Sequence, residues 1–411
     1  SILMIMIIII NKKDRWNLMA KYFFSSSFLL FLGNWIGQVG LNWFVLTTYH
    51  NAVYLGLVNF CRLIPILLLS VWAGSIADKY DKGLLLRITI TSSFIITALL
   101  CLLTYSINSI PIFIILLYAT FRGILSAVET PVRQAVLPDL SSKISTTQAV
   151  SFHSFIINIC RSIGPAIAGG LIAVYHTPTT FLAQAVCYFI AAVLCIPIHF
   201  EVILSQKEGK ALPLKVVLNY FKSNLEGSQI FITSIIIMAT GFSYTTVLPV
   251  LTNHIFPGQS QVFGIAMTFC AIGGIVATIV LPSILKHLST VKMYYLSSIL
   301  FGIALLGIII HHLVVMFICI TLIGLFSQWA RTTNRVYFQH SVKDCDRGKV
   351  LSIIMMDRGM IPLGSLIMSF FADMFGILTT FTIMGISTIS ISLIFYIIQR
   401  ISNMEESNNE S

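Results

Sequence analysis

The sequence predicts an all-α membrane protein whose twelve transmembrane helices form two six-helix, pseudo-symmetric bundles. The first supporting observation is composition: of 411 residues, 57% are hydrophobic and only 10% are charged. Soluble globular proteins are about 25% charged, so this chain cannot cover a water-facing surface. The second observation is a strict alternation of loops with and without Lys or Arg, and the third is a motif repeated about half a chain apart.

Twelve apolar runs are long enough to cross a bilayer, which takes about 20 apolar residues. The predicted spans are 22–47, 54–77, 84–105, 110–128, 147–174, 179–198, 230–251, 262–285, 293–310, 313–329, 350–371 and 378–398. The predicted regions are a cytoplasmic N-terminal segment (1–21), an N-terminal bundle (22–200), a cytoplasmic central loop (201–228), a C-terminal bundle (229–398) and a cytoplasmic tail (399–411).

The distribution of Lys and Arg supports this number of spans. Outside the spans, they occur in the N-terminal segment, in the loops after spans 2, 4, 6, 8 and 10, and after span 12. The intervening loops contain none. Because basic loops stay on the cytoplasmic side, we expect a cell-membrane protein with both termini in the cytoplasm. The net charge of +10 then reflects orientation in the membrane, and no nucleic-acid partner is expected.

An internal repeat indicates a transporter. Arg161-Ser-Ile-Gly164-Pro165 in span 5 corresponds to Arg358-Gly-Met-Ile-Pro362 in span 11. Two parallel repeats place a substrate site near the membrane midplane and operate by alternating access. The sequence therefore predicts a small-molecule carrier, which we expect to be a monomer in the lipid bilayer.

The turn between spans 2 and 3 carries the first family signature. Gly74 and Asp78 are followed by the basic pair Lys79 and Lys82, with Asp81 between them. This turn resembles the loop 2–3 signature of the major facilitator superfamily, although Lys79 stands where Arg is commoner and Asp81 where Gly is commoner. The resemblance implies a part in coupling and gating, and we expect Asp78 to bridge the two halves in one state.

Two further signatures are consistent with the same superfamily. Arg122 in span 4 resembles its arginine motif, which is linked to proton coupling. Gly164, Pro165 and Gly169 resemble the glycine–proline motif in the fifth span of its antiporters, which is typical of exporters. From the residues alone, this segment could equally be a packing kink, because Pro bends a helix and small residues allow close approach.

The resemblance covers essentially the whole chain. The stretch from Glu129 to Leu140 is similar to the loop after span 4 in siderophore and macrolide exporters. The closest match is to siderophore exporters of the enterobactin and staphyloferrin B type. This implies a proton-coupled antiporter that exports an anionic carboxylate siderophore, and the alternative is a multidrug or macrolide efflux transporter. No catalytic motif of an enzyme, no metal-ligand spacing and no cofactor signature occurs in the sequence.

Charges inside the predicted spans favour an anionic substrate. Charged residues in a membrane are costly and usually functional; away from the span ends they are Arg62, Arg122, Arg161, Arg358 and Asp357, with Glu129 near a span end. The excess of Arg favours a carboxylate ligand, which a guanidinium binds in a two-pronged fork. Alternatively, each Arg could bind helix carbonyls or pair with an acid.

Polar residues in span 1 give a second set of substrate-binding candidates. Asn34, Gln38 and Asn42 are four residues apart and share one helix face. They could line a cavity or hydrogen-bond to a neighbouring helix. Gln328 in span 10 and Tyr244 in span 7 are further candidates, the latter beside a polar break that could act as a gate.

Asp357 is the first candidate for the acid that carries the proton. Burial disfavours its charged form, whereas the adjacent Arg358 favours it. Movement between such environments would couple protonation to conformation. The alternative is a fixed ion pair that holds span 11 in place.

Overall fold

The computed structural model describes residues 18–107, 110–137, 140, 146–198, 214–342, 354, 357 and 359–409, with only the backbone described for residues 18, 70–79, 146–147, 214–218 and 402–409. Its regular elements are all helices, which confirms the predicted fold class. In order, the helices of the described chain are α1 (Leu18–Tyr49), α2 (Ala52–Lys79), α3 (Lys82–Ser106), α4 (Ile112–Val136), α5 (Thr146–Tyr175), α6 (Pro178–Cys195), α7 (Leu214–Ser223), α8 (Leu225–Thr240), α9 (Tyr244–Ile255), α10 (Ser260–Ile284), α11 (Thr290–Gly307), α12 (Leu313–Ser341), α13 (Met360–Phe375) and α14 (Ile377–Asn409).

Eleven helical segments of the described chain are long and apolar enough to cross a membrane. The shorter apolar helix α13 lies in the predicted eleventh span. Several helices continue beyond the apolar runs, and α4 and α12 do so by two or more turns. As a result Arg133, Arg331 and Arg335 lie on helices, although the sequence placed them in or beside cytoplasmic loops. Hydropathy marks where a helix leaves the lipid, not where its backbone hydrogen bonding ends.

The seventh predicted span is divided into α8 and α9. Around the break, the N–H groups of Gly241 and Phe242 both donate to the carbonyl of Ile237, at 2.8 and 3.1 Å. Ser243 Oγ then donates to the carbonyl of Ala239 at 2.7 Å. The interruption falls where the sequence suggested a polar break, while its role as a gate remains a prediction.

The region predicted as a central loop contains the short helix α7. Its Tyr220 and Phe221 pack against a buried cluster that includes Ile230 and Phe338. Tyr220 also shares a hydrogen bond of 2.7 Å with Ser341. These aromatic contacts stabilise α7 against the rest of the unit. The polar composition of the surrounding segment did not predict a helix there.

The chain divides into two compact units. The first contains residues 1–40 and 65–207, and the second contains residues 41–64 and 208–411. The division thus falls inside α1 and α2 as well as in the central region. The bundle boundaries predicted at 22–200 and 229–398 remain predictions.

In the first unit, α1 packs closely on α6 because it presents glycines to it. A methyl group at Gly37 would collide with the Gln184 side chain, and one at Gly40 would collide with Thr180. These glycines therefore let the two helices approach each other closely.

The charged turn between α2 and α3 joins helix ends within the first unit. Asp81 caps α3 by accepting the N–H of Gly83 at 2.9 Å. Lys82 Nζ donates to the carbonyl of Ala135 at 3.1 Å, near the end of α4. Arg87 likewise donates to the carbonyl of Ile196 at 3.0 Å, beyond the end of α6. Cations at helix C-termini are favourable. The side chains of Gly74, Asp78 and Lys79 lie outside the described residues, so their predicted roles stay predictions.

Candidate functional site

Arg122 is the centre of a buried hydrogen-bond network in the first unit. Its guanidinium donates to Ser93 Oγ and to Tyr188 Oη, each at 2.8 Å, and to Asn34 Oδ1 at 3.3 Å. The guanidinium also lies 5.0 Å from the centre of the Tyr188 ring. Two of the predicted site residues, Asn34 and Arg122, are therefore brought together, and this contact favours the reading that Asn34 links helices.

A second buried cation, Arg133, was missed as a site residue by the sequence reasoning. Its side chain is 1% exposed and its Nε donates to Glu129 Oε1 at 3.0 Å. Its Nη1 donates to Ser27 Oγ at 2.6 Å, and the rings of Phe23 and Phe31 flank the guanidinium. The spacing of Glu129 and Arg133, four residues apart just after an apolar run, was the signal that could have revealed this pair.

Asn42 and Arg62 belong to the second unit, where a third residue joins them. Asn59 Nδ2 donates to Asn42 Oδ1 at 3.1 Å, and Arg62 Nη2 donates to Asn59 Oδ1 at 3.1 Å. Asn42 is buried, so this contact is a helix–helix hydrogen bond. Sequence reasoning did not single out Asn59.

One face of α5 is polar and exposed, although the helix is long and apolar enough to span the membrane. Ser151, Ser154 and Asn158 are exposed, and Arg161 is half-buried. At helical spacing these four residues share one face. Among the described residues, the side chain of Asn158 bonds only to the carbonyl of Ser154, at 3.0 Å. Exposed polar groups at membrane depth are tolerated where they line a water-filled cavity, so this face indicates such a cavity.

Arg161 makes no hydrogen bond or ion pair with any residue that the structure describes. The same holds for Gln38 on α1, which is also half-buried. The two helices touch where Gly164 meets Trp35, because a methyl group at Gly164 would lie 2.6 Å from Trp35 Cβ. Gly164, Pro165 and Gly169 are themselves buried. Gly164 therefore allows close packing, while Arg161 and Gln38 keep free hydrogen-bonding capacity on adjoining helices.

In the second unit, α12 carries a comparable polar face. Arg331 Nη2 donates to Gln328 Oε1 at 3.0 Å, and its guanidinium lies 4.9 Å from the centre of the Phe242 ring. One turn further on, Arg335 is half-buried and has no hydrogen-bond partner among the described residues. Arg335 was counted as a loop residue from the sequence, whereas its position on α12 makes it a new candidate.

Tyr244, at the start of α9, is enclosed within the second unit. It is buried, and its hydroxyl shares a hydrogen bond of 2.9 Å with Cys270. Thr246 on the same helix bonds to Ser365 at 2.9 Å. These contacts stabilise helix packing, and the substrate-binding role predicted for Tyr244 remains untested.

Asp357 is 5% exposed, and its direct hydrogen-bond partners in the described chain are neutral. Ser234 Oγ donates to Asp357 Oδ2 at 2.7 Å, and Asn334 Nδ2 approaches the same oxygen at 3.4 Å. Within the described residues, no Lys or Arg nitrogen lies within 4.0 Å of this carboxylate. Arg358 lies outside the described residues. Its predicted ion pair with Asp357 and its predicted contact with substrate therefore stay predictions.

Comparison with known proteins assigns the chain to a family. Residues 18–411 match the family described as transmembrane secretion effector, within the major facilitator superfamily. A relative named Staphyloferrin A transporter, from Staphylococcus aureus, is 75% identical over 95% of this chain and 99% of its own length. Macrolide efflux protein A of Streptococcus pyogenes is 19% identical, over 96% of this chain and 99% of its own length.

Solved structures agree on the fold. The nucleoside transporter NupG superposes with a TM-score of 0.73 over 92% of this chain and 98% of its own, at 15% identity. A bacterial homologue of the lysosomal transporter Spinster superposes with a TM-score of 0.72 over 94% of this chain and 98% of its own, at 11% identity. The chain is therefore a multi-pass membrane transporter and belongs to the transmembrane secretion effector family of the major facilitator superfamily.

Proposed function

We propose that this protein exports a carboxylate siderophore of the staphyloferrin type across the cell membrane, in exchange for protons and by alternating access. The observation that carries the proposal is the 75% identity, across nearly the full length of both chains, to the Staphyloferrin A transporter. The signature motifs resemble exporters of the staphyloferrin B type, and that finer assignment stays unconfirmed. The name of the relative makes staphyloferrin A the first substrate to test.

Two arginines without a hydrogen-bond partner in the described chain support an anionic substrate. Arg161 on the polar face of α5 and Arg335 on α12 have no hydrogen-bond partner in the described residues. Each can offer a carboxylate two parallel N–H donors. Around Arg161, the side chains of Asn158 and Ser154 can bond to hydroxyl or amide groups of a hydrophilic ligand. A lipophilic cationic drug would instead require acidic groups on these faces.

The motifs and the family description support export as the direction of transport. The glycine–proline motif at Gly164 and Pro165 resembles that of antiporters, and the family is described by secretion. A proton gradient directed into the cell would drive outward movement of the substrate. The alternation of basic loops supports cytoplasmic termini, and we propose that the monomer is the working unit.

The test is complementation in a Staphylococcus aureus strain that lacks its Staphyloferrin A transporter. Cells grown without iron would express the wild-type chain, Arg161→Ala or Arg161→Lys, and staphyloferrin A would be quantified in medium and cytoplasm by mass spectrometry. We expect the wild type to restore secretion and Arg161→Ala to retain the siderophore inside. A hydrogen bond to a charged group is worth about 1.5–3 kcal/mol, so transport at subsaturating substrate should fall by about 10- to 150-fold.

Arg161→Lys separates charge from geometry, because lysine keeps the charge and loses the fork. An intermediate phenotype for this variant would support carboxylate recognition. Membrane abundance of every variant would be measured with an epitope tag. Unchanged siderophore secretion in all strains, together with macrolide resistance conferred by the wild type, would refute siderophore export and favour the drug-efflux alternative.

A further inference from the structure

Buried carboxylates differ in whether a cation neutralises them. In the first unit, Glu129 forms a 3.0 Å ion pair with Arg133. Protonating Glu129 would leave the buried guanidinium without its counter-charge. In the second unit, Asp357 is equally buried but has only neutral donors among the described residues within bonding distance. An ionised carboxylate in such surroundings is costly, and a bound proton removes that cost.

The polar groups around Asp357 come from three helices. Ser234 on α8 donates to the carboxylate, and Asn334 on α12 bonds to both Ser234 and Asp357. The positive charges of Arg331 and Arg335, also on α12, interact with the Asp357 carboxylate without touching it. Tyr294 on α11 is a further titratable group that interacts electrostatically with Asp357. The Oδ1 atom of Asn334 is buried and has no hydrogen-bond partner in the described chain. This unmet acceptor indicates that the cluster is completed by a molecule such as water.

A small cavity, with room for about one water molecule, adjoins this cluster. Its walls include both direct partners of Asp357, Ser234 and Asn334, together with Tyr294, Ser298 and Arg331. Ser234, Ser298 and Asn334 offer a water molecule there the polar partners that it needs. Such water would satisfy Asn334 Oδ1 and connect the hydroxyl of Ser234 to the cavity.

We infer that Asp357, supported by Ser234 and Asn334, binds the coupling proton, and that the adjoining cavity supplies the water from which the proton arrives. The inference rests on the proposed antiport and names its proton site. In the step itself, a hydronium ion in the cavity gives a proton to Ser234 Oγ while Ser234 passes its own hydroxyl proton to Asp357 Oδ2, leaving water, the serine hydroxyl and a neutral carboxylic acid. Ser234 Oγ then bonds to the acid instead of to the anion, and deprotonation on the other side of the membrane reverses the step.

The first experiment compares accumulation of substrate driven by a pH gradient with exchange of substrate, which needs no gradient. The full-length wild type, Asp357→Asn and Asp373→Asn would be reconstituted in vesicles with the membrane potential clamped at zero. Asp373 is an exposed carboxylate on α13 and serves as the matched control. A pH difference of one unit lets a one-proton exchanger concentrate staphyloferrin A by up to about ten-fold. We expect that accumulation for the wild type and for Asp373→Asn, and none for Asp357→Asn.

Exchange of labelled for unlabelled staphyloferrin A requires no net proton transfer. We expect Asp357→Asn to retain it within about two-fold of the wild type, a margin below 0.5 kcal/mol. Retained pH-driven accumulation in Asp357→Asn would overturn the inference. Loss of exchange in a folded Asp357→Asn protein would also overturn it, because the residue would then serve substrate binding or structure. Accumulation driven by a sodium gradient instead would assign the coupling ion to sodium.

The second experiment does not depend on the substrate. Infrared difference spectra of the purified protein would be recorded while the pH is lowered. A carboxylic C=O band that appears in the wild type and in Asp373→Asn, but not in Asp357→Asn, would identify the proton-binding group. If the band is assigned to Asp357 while expression of the wild-type chain fails to restore staphyloferrin A secretion, the proton site stands and the proposed substrate falls. If secretion is restored but Asp357→Asn keeps the band, the proposed function stands and this inference falls.

Discussion

Replacing Glu129 with Gln should destabilise the first unit strongly. The Arg133 Nε and Glu129 Oε1 atoms are 3.0 Å apart, and the two side chains are 1% and 5% exposed. Unit charges at that distance attract by about 5 kcal/mol at an effective dielectric constant of 20. The variant keeps a hydrogen-bond acceptor but removes the counter-charge of Arg133. Breaking one partner of a buried pair costs about 3–5 kcal/mol, and we expect a loss in that range.

The matched comparison removes both charges. In Glu129→Gln/Arg133→Met, no cation is left buried without its counter-charge, and methionine fills much of the space between Phe23 and Phe31. A buried guanidinium without a counter-charge costs more than a buried neutral amide. The double variant should therefore be more stable than Glu129→Gln alone. The assay is the thermal midpoint of the detergent-solubilised protein, followed by fluorescence-detected gel filtration, with each single variant completing the cycle.

Two results would contradict this reasoning. A thermal midpoint of Glu129→Gln equal to that of the wild type would show that the pair has no net effect on stability. A double variant whose loss equals the summed losses of both single variants would show that the two charges act independently. Either result would show that the Glu129–Arg133 ion pair does not stabilise the folded first unit.

Two further predictions concern packing and access. Gly37→Ala should lower the thermal midpoint, because overpacking against Gln184 costs about 1–3 kcal/mol, whereas Gly170→Ala, where a methyl group meets open space, should be neutral or stabilising. Cysteines introduced at Ser154 or Asn158 in a cysteine-free background should react with a membrane-impermeant thiol reagent and be protected by staphyloferrin A. Ile156→Cys, on the same helix but 1% exposed, should not react. Equal labelling at all three positions would contradict a polar cavity face on α5.

The fold class could be predicted from the sequence because the bilayer imposes it. Only helices and closed barrels satisfy every backbone group in lipid, and the apolar runs of this chain have helical length. The limits of the helices could not be predicted in the same way. Arg133 and Arg331 follow the apolar runs and look like loop residues, yet their backbones stay helical and their side chains turn towards the protein interior.

The sequence could not separate residues that link helices from residues available to a substrate, because one helix face can contact several neighbouring helices. Asn34 and Gln38 share a face of α1, yet Asn34 bonds to Arg122 while Gln38 has no partner in the described chain. Nothing in the spacing of these residues identifies the side chain opposite each one. The exposed serines of α5 were missed because a serine in an apolar run is unremarkable until the exposure of its helix face is known.

Hydrogen-bond partners separate four arginines of the described chain into two pairs with different physical roles. Arg122 and Arg133 are buried, and each bonds to at least two side chains of its own unit. Moving either one to meet a substrate would break these bonds and leave their partners unsatisfied, at about 1–3 kcal/mol for each group. Arg161 and Arg335 have no such bonds to lose among the described residues, so a carboxylate can bind them without that cost. Because Asp357 acts electrostatically on Arg335, protonating Asp357 would change the charge that a substrate meets on α12. A buried acid that touches no substrate can in this way affect the binding of an anion.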